Sequence, residues 1–153
     1  ETFDAIASVE MVEAVGRRWW GAYLDSIARN LKPHGRAAVQ YIGMDPRIFD
    51  DYAASPDFIQ TYIFPGGMLI NEQQFEGLAR QRGLSWDDRE AFRMDYAETL
   101  RRWRDCYDAA VAVGQLDGFS QTFHDLWRYY LMYCEGGFRG GAIDVAQVTL
   151  TRT

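Results

Sequence analysis

The chain is poor in several things, and each shortage closes a class of answer. It has a single lysine, Lys32, so every other basic residue is an arginine. Acidic residues outnumber basic ones, 22 to 16, and the formal net charge is −6. That balance argues against nucleic acid, which demands a basic face. It also argues against broad adsorption to anionic lipid. No apolar run reaches the length of a membrane span. The first residues, ETFDAIASVEM, lack the basic region and long apolar stretch of a signal peptide. There are two cysteines, Cys106 and Cys134, and no CxxC or Cys/His cluster. Zinc is therefore not indicated, no metal is expected, and both thiols read as reduced core residues of a cytosolic protein. His34 and His124 have no metal-spaced partners and read as surface or helix-edge residues.

What is present is a core. Hydrophobic residues make up 48% of the 153 residues and aromatics 15%, a composition that packs. Phe3–Val9 has the length and apolarity of a strand. A helix is predicted from about Arg17 to Asn30, stopped by Lys32-Pro33-His34-Gly35. Arg36–Ile42 is the next strand, so the first two strands should run parallel. Asp45-Pro46 and Ser55-Pro56 read as helix starts with Pro at the first helical position. Tyr62–Leu69 is an aromatic, glycine-rich loop. Asn71-Glu72-Gln73-Gln74 starts a helix that ends at Gly83. A strand is predicted within Leu84–Phe92.

Asp95-Tyr96-Ala97-Glu98 reads as another capping box, opening a long helix ended by Gly114. A further helix runs from about Phe119 to Cys134, with Gly136 and Gly137 as its stop. Ala142–Thr151 is the last strand. Trp103, Tyr107, Phe123, Trp127 and Tyr130 recur at helical spacing and read as core. Arg101, Arg102 and Arg104 read as a solvated helix face. The pattern is α/β, and no GxGxG turn follows any strand.

Chemistry concentrates in a few places. Glu13 stands just past the first strand, where open α/β sheets bind ligands. It is either a ligand-handling carboxylate or a helix-start charge near the dipole. Glu10 is the second choice there, with a solvent-facing or Arg-paired role as its plain alternative. Gln40 and Ile42 close the second strand. Tyr96 offers a ring face for a cation and a hydroxyl for an anion. It also fits as a partly buried aromatic at a helix start. The segment Phe58–Leu69, FIQTYIFPGGML, either walls an apolar pocket or is an ordinary packed connection.

Four blocks, SVEMVEAVG (Ser8–Gly16), FPGGML (Phe64–Leu69), DYAETLRRW (Asp95–Trp103) and YCEGGFR (Tyr133–Arg139), occur in this order. Together they resemble the cyclopropane-fatty-acid synthase family of S-adenosylmethionine-dependent methyltransferases. The resemblance runs from about Phe3 to Val148. It implies the C-terminal half of a doubly wound, Rossmann-like methyltransferase sheet with an inserted helical layer. Residues 1–153 would form the C-terminal part of one such domain, with the main S-adenosylmethionine motif upstream and this part alone inactive.

The implied reaction is methyl transfer to the cis double bond of a phospholipid acyl chain, with closure of a cyclopropane ring. Bicarbonate would serve as base, held by Glu13 and Tyr96 with Gln40 and the Ile42 backbone beside them. In many such enzymes a His replaces Gln40. The acyl side would be walled by Phe58, Tyr62, Phe64, Pro65, Gly66 and Gly67. The expected setting is a cytoplasmic enzyme open to peripheral contact at the inner face of the membrane, and the open sheet edge left where the first strands of such a sheet are missing predicts a homo-oligomer or swapped dimer. Methylation of another lipid or small molecule without ring closure, and a non-catalytic lipid-binding module, stay open.

Overall fold

The computed structural model describes residues 1–153 and divides into two compact units. The first comprises Glu1–Ala91 and Asp144–Thr153; the second is Phe92–Ile143.

The first unit is built on a four-stranded sheet. Its strands are β1 (Phe3–Val9), β2 (Leu31–Met44), β3 (Asp87–Ala91) and β4 (Ile143–Thr151), in the order β1-β2-β4-β3. β1 and β2 are parallel, as predicted, and β3 runs antiparallel to β4. The connection between β1 and β2 is a 3-10 turn at Val12–Ala14, a second at Arg17–Trp19, and α1 (Trp20–Asn30). Trp20, Tyr23, Leu24 and Ile27 are buried along α1, at the spacing that puts them on one face. That face meets α4 (Glu72–Arg80): the Trp20 and Phe75 rings lie edge to face at 5.8 Å. Burying one such side chain contributes roughly 1.5–3 kcal/mol, so this contact anchors the crossover. Along β2 the odd residues Ala37, Val39 and Tyr41 are buried. Gln40 and Ile42 therefore share the opposite face.

Several predicted boundaries move. Lys32–Gly35 does not separate helix from strand; it lies within β2. Phe3 pairs with Leu31 and Ala5 with Arg36, so the extra residues bulge out of an otherwise continuous ladder. The His34 N–H donates to the Arg152 carbonyl at 2.9 Å, and Arg152 returns a bond to Gly35 at 3.0 Å, which keeps the bulge in the sheet. Asp45-Pro46 and Ser55-Pro56 precede their helices instead of starting them. Asp45 closes a turn on Arg47, and α2 begins at Phe49 (Phe49–Ala54). Asp57 caps α3 (Phe58–Tyr62) in a reciprocal box with Gln60. The Asn71 cap of α4 is as predicted: its side chain accepts the Gln74 N–H.

The second unit is a helical hairpin of α5 (Arg93–Ala112) and α6 (Gln121–Gly140). α5 starts before the predicted box, with Phe92 at its N-cap and no side-chain cap; Glu98 pairs instead with Arg101 and Arg102. α6 runs through Gly136 and Gly137 and ends at Gly141, whose φ of 77° is the left-handed cap that suits glycine. Two helical glycines cost about 2 kcal/mol together. Burial of Phe138 and the ion pair of Glu135 with Arg104 at 2.7 Å hold the last turns against that cost.

The aromatic stripe is not a closed core. Trp103 is 52% exposed, and Tyr107, Phe123, Trp127 and Tyr130 are half-buried. A two-helix layer has too little opposite surface to cover them all. Cys106 is exposed and Cys134 half-buried, so neither is a core thiol. His124 is buried, against expectation, with the Tyr107 hydroxyl 2.6 Å from its Nδ1. His34 is exposed, as read. Arg104 is tied across the hairpin to Glu135 and is no part of a purely solvated face.

Candidate functional site

The carboxyl ends of parallel strands create a natural place for ligand-handling groups. Val9, the last residue of β1, pairs with Gln40, and β2 continues past it to Met44. Past β1 the chain turns sharply: Glu10 has a φ of 48°, and the 3-10 turn Val12–Ala14 follows, pinned by fully buried Val12. Glu13 occupies the middle of that turn. Its carbonyl accepts the Met68 N–H at 2.8 Å, which ties the turn to the FPGGML loop.

The Glu13 carboxyl is held unevenly. Oε1 accepts the Ile42 backbone N–H at 2.5 Å, whereas Oε2 is buried and has no protein partner. Burial raises the pKa of this carboxyl above its usual value; the Ile42 N–H opposes the rise, and the charge of nearby Glu10 adds to it. A half-buried carboxyl with one oxygen anchored and the other unsatisfied is poised to take a hydrogen-bonding ligand.

Gln40 lies two residues before Ile42 on the same strand face. Its Nε2 donates to Glu10 Oε1 at 2.7 Å, and its Oε1 accepts from Gln147 Nε2 at 2.8 Å. The structure thus gathers Glu10, Glu13, Gln40 and Ile42 at one strand end. Sequence reasoning missed Gln147 of β4 and Tyr52 of α2. The Tyr52 hydroxyl accepts the Leu69 N–H at 2.9 Å and steadies the same loop. Burial raises the pKa of that hydroxyl. Helical periodicity in Phe49–Ala54 carried no hint of it.

Phe58 and Tyr62 stand on α3 with rings 5.6 Å apart; Phe64, Pro65, Gly66 and Gly67 form the following turn. Gln60 Nε2 closes that turn on the Gly67 carbonyl at 2.8 Å. Tyr62 and Phe64 are exposed, 65% and 56%. A groove of about 820 Å³ lies elsewhere, between β1 and α1, lined by residues that include Ile6, Met11, Val15, Tyr23 and Ile27. Tyr96 belongs to the second unit, in the first turn of α5, with its ring 4.9 Å from that of Phe138. No helix is long and apolar enough to cross a membrane.

Comparison with known proteins matches residues 1–148 to the model of the mycolic acid cyclopropane synthetase family. The chain belongs to that family. Tuberculostearic acid methyltransferase UfaA1 of Mycobacterium tuberculosis is 40% identical over 152 residues, covering 98% of this chain and 35% of the relative. Cyclopropane-fatty-acyl-phospholipid synthase of Escherichia coli is 34% identical, covering 99% and 38%. Among solved structures, mycolic acid cyclopropane synthase CmaA1 complexed with SAH and CTAB superposes with a TM-score of 0.88 at 27% identity, covering 99% of this chain and 56% of that one. The chain therefore spans little more than a third of these curated family members. Its α/β architecture is the expected one and matches the C-terminal part of the methyltransferase fold seen in CmaA1.

Proposed function

We propose that the full-length protein transfers a methyl group from S-adenosylmethionine to the cis double bond of a phospholipid acyl chain and closes a cyclopropane ring. Residues 1–153 would be the C-terminal part of one methyltransferase domain, with most cofactor contacts made by sequence outside them. The observation that carries the reading is Glu13: one carboxyl oxygen fixed by the Ile42 amide, the other buried without a protein partner.

S-adenosylmethionine supplies the methyl group, and bicarbonate supplies a proton acceptor. The unsatisfied Glu13 Oε2 fits such an anion, because bicarbonate carries an O–H that a carboxylate oxygen accepts. The Ile42 amide keeps the Glu13 carboxyl in place and is not itself a free donor. Gln40 adds an amide that does not titrate. Tyr96 offers its ring face to a cationic centre on the acyl chain and its hydroxyl to an anion. Phe58, Tyr62, Phe64 and the Pro65-Gly66-Gly67 turn wall the acyl side. Peripheral contact with the cytoplasmic membrane face brings the enzyme to its substrate.

A second reading, methylation without ring closure, is favoured by one observation: a relative at 40% identity is named a methyltransferase of tuberculostearic acid. Both reactions add a methyl and lose a proton, so both add one CH2 to the chain. Mass spectrometry of cellular lipids with and without the full-length gene tests the shared activity. Unchanged acyl masses would reject it. Ozonolysis of the product then separates the two outcomes, because a branched alkene is cleaved and a cyclopropane is not.

A further inference from the structure

Glu10 holds a backbone conformation that L residues avoid. Its φ of 48° lies in the left-handed region, where a Cβ crowds the following carbonyl. Such outliers persist where the surroundings enforce them, and they cluster at functional sites. Here two bonds enforce it, both to the same residue. The Glu10 N–H donates to the Gln40 carbonyl at 2.9 Å, and Glu10 Oε1 accepts from Gln40 Nε2 at 2.7 Å. The other end of the Gln40 amide is engaged as well, by Gln147 Nε2 at 2.8 Å.

The chemistry of these partners decides which way the amide points. An ionised carboxylate only accepts, so the end of Gln40 that faces Glu10 must be the nitrogen. Gln147 then meets the oxygen. A primary amide nitrogen has two hydrogens, and Glu10 takes one of them. We propose that Glu10 is a positioning residue that fixes Gln40 as a hydrogen-bond donor to the anion held at Glu13. The inference rests on the bicarbonate reading of the Glu13 site. Gln40 is two residues from the amide that anchors Glu13, on the same face of β2. Its second N–H is the only kind of group on that side chain that attracts an anion. With Glu10 absent, the amide loses the acceptor that fixes its nitrogen, and Gln147, itself an amide that can turn, does not by itself set which end faces the anion; an inward oxygen would repel it. The left-handed backbone at Glu10 is the local cost of setting that choice.

The test uses the full-length protein and sodium bicarbonate, with ionic strength matched by chloride, and reads melting temperature against bicarbonate concentration. Glu10→Gly removes the carboxylate at a position whose φ suits glycine, so the variant should melt at least as high as the parent without bicarbonate. Its apparent bicarbonate affinity should fall on the order of tenfold, the effect of losing one charge-directed hydrogen bond. Gln40→Ala should lose the same amount, and the double variant no more, because Glu10 acts through Gln40. An unchanged bicarbonate response in Glu10→Gly, or additive losses in the double variant, overturns the proposal. Glu13→Gln separates the two levels. If it abolishes the response while Glu10→Gly does not, the anion site stands and the positioning role falls. A parent that shows no response to bicarbonate removes both.

Discussion

The Ile42 backbone N–H reaches Glu13 Oε1 at 2.5 Å, and the sister oxygen of that carboxyl is buried with no protein partner. One strand thus fixes the carboxyl's orientation through its backbone, independent of the Ile42 side chain. Replacing Glu13 with Gln keeps the volume and can keep the Ile42 bond, while turning the unsatisfied acceptor into a donor. In the full-length protein, turnover should drop on the order of 10²-fold or more. Melting should change little beyond the pH effect below. A variant with parental turnover would assign Glu13 to a structural role.

The same carboxyl makes a pH prediction. Burial raises the folded pKa of Glu13 above the usual 4.5. Its neutral form is therefore the better tolerated one in the fold. The stability it contributes is fully present below the unfolded value and is lost as pH rises through the folded value. Glu13→Gln has no such loss. The melting temperature of the variant minus that of the parent should be small near about pH 4 and larger near about pH 8. A difference that stays flat across that range would mean the carboxyl is not desolvated in solution.

Parts of this arrangement were legible in the residues, and parts were not. β1 was readable to the residue because a mostly apolar run of strand length, broken only by Asp4 and Ser8, sits between polar flanks. Glu13, Gln40 and Ile42 were readable as candidates because strand ends bind ligands and because the blocks around them resemble a family. The start of β2 was hidden: Lys32-Pro33-His34-Gly35 has the composition of a stop, and backbone bonds to Arg152, distant in the sequence, help keep it in the sheet. The end of α6 was hidden for the opposite reason. Gly136 and Gly137 weaken a helix locally, but Glu135 before them and Phe138 after them hold it through contacts distant in the sequence. Gln147 illustrates a third limit. Strand alternation gives the face of a side chain, not the residue it meets across a sheet.

Tyr96→Phe probes the second unit. The ring stays, and so do its neighbours: Phe138 at 4.9 Å and Trp103 at 6.5 Å. Only the hydroxyl is lost. Turnover of the full-length enzyme should fall by about tenfold or more, with melting within roughly 0.5 kcal/mol of the parent. Equal activity, with normal bicarbonate dependence, would leave Tyr96 as packing alone.

Tyr107→Phe should do the reverse. The Tyr107 hydroxyl lies 2.6 Å from Nδ1 of buried His124, and removing it strands a buried polar nitrogen. The expected cost is about 1–3 kcal/mol of stability. Denaturant titration should show a lower midpoint with an unchanged slope. Bicarbonate response should be parental, because the pair belongs to the hairpin and not to the Glu13 turn. No loss of stability would mean that His124 finds another partner.

The last prediction concerns the edge of the sheet. β1 is an outer strand, bonded on one side to β2. Phe3 is 46% and Val9 65% exposed, and the apolar groove of about 820 Å³ runs alongside. Natural edge strands are guarded by Lys, Pro, bulges or inward charges. β1 has neither Lys nor Pro, and its one charge, Asp4, is paired with Lys32 at 2.8 Å. Expressed as residues 1–153, the chain should therefore self-associate through this edge, as a dimer or a swapped form. Light scattering at about 100 µM should give a mass above that of one chain, falling on dilution. Ala5→Lys places a charge on an exposed β1 position and should shift the equilibrium toward monomer without lowering the melting temperature by more than about 1 kcal/mol equivalent. A parent chain that stays monomeric at that concentration, or an Ala5→Lys variant that associates as strongly, would locate the contact elsewhere or nowhere.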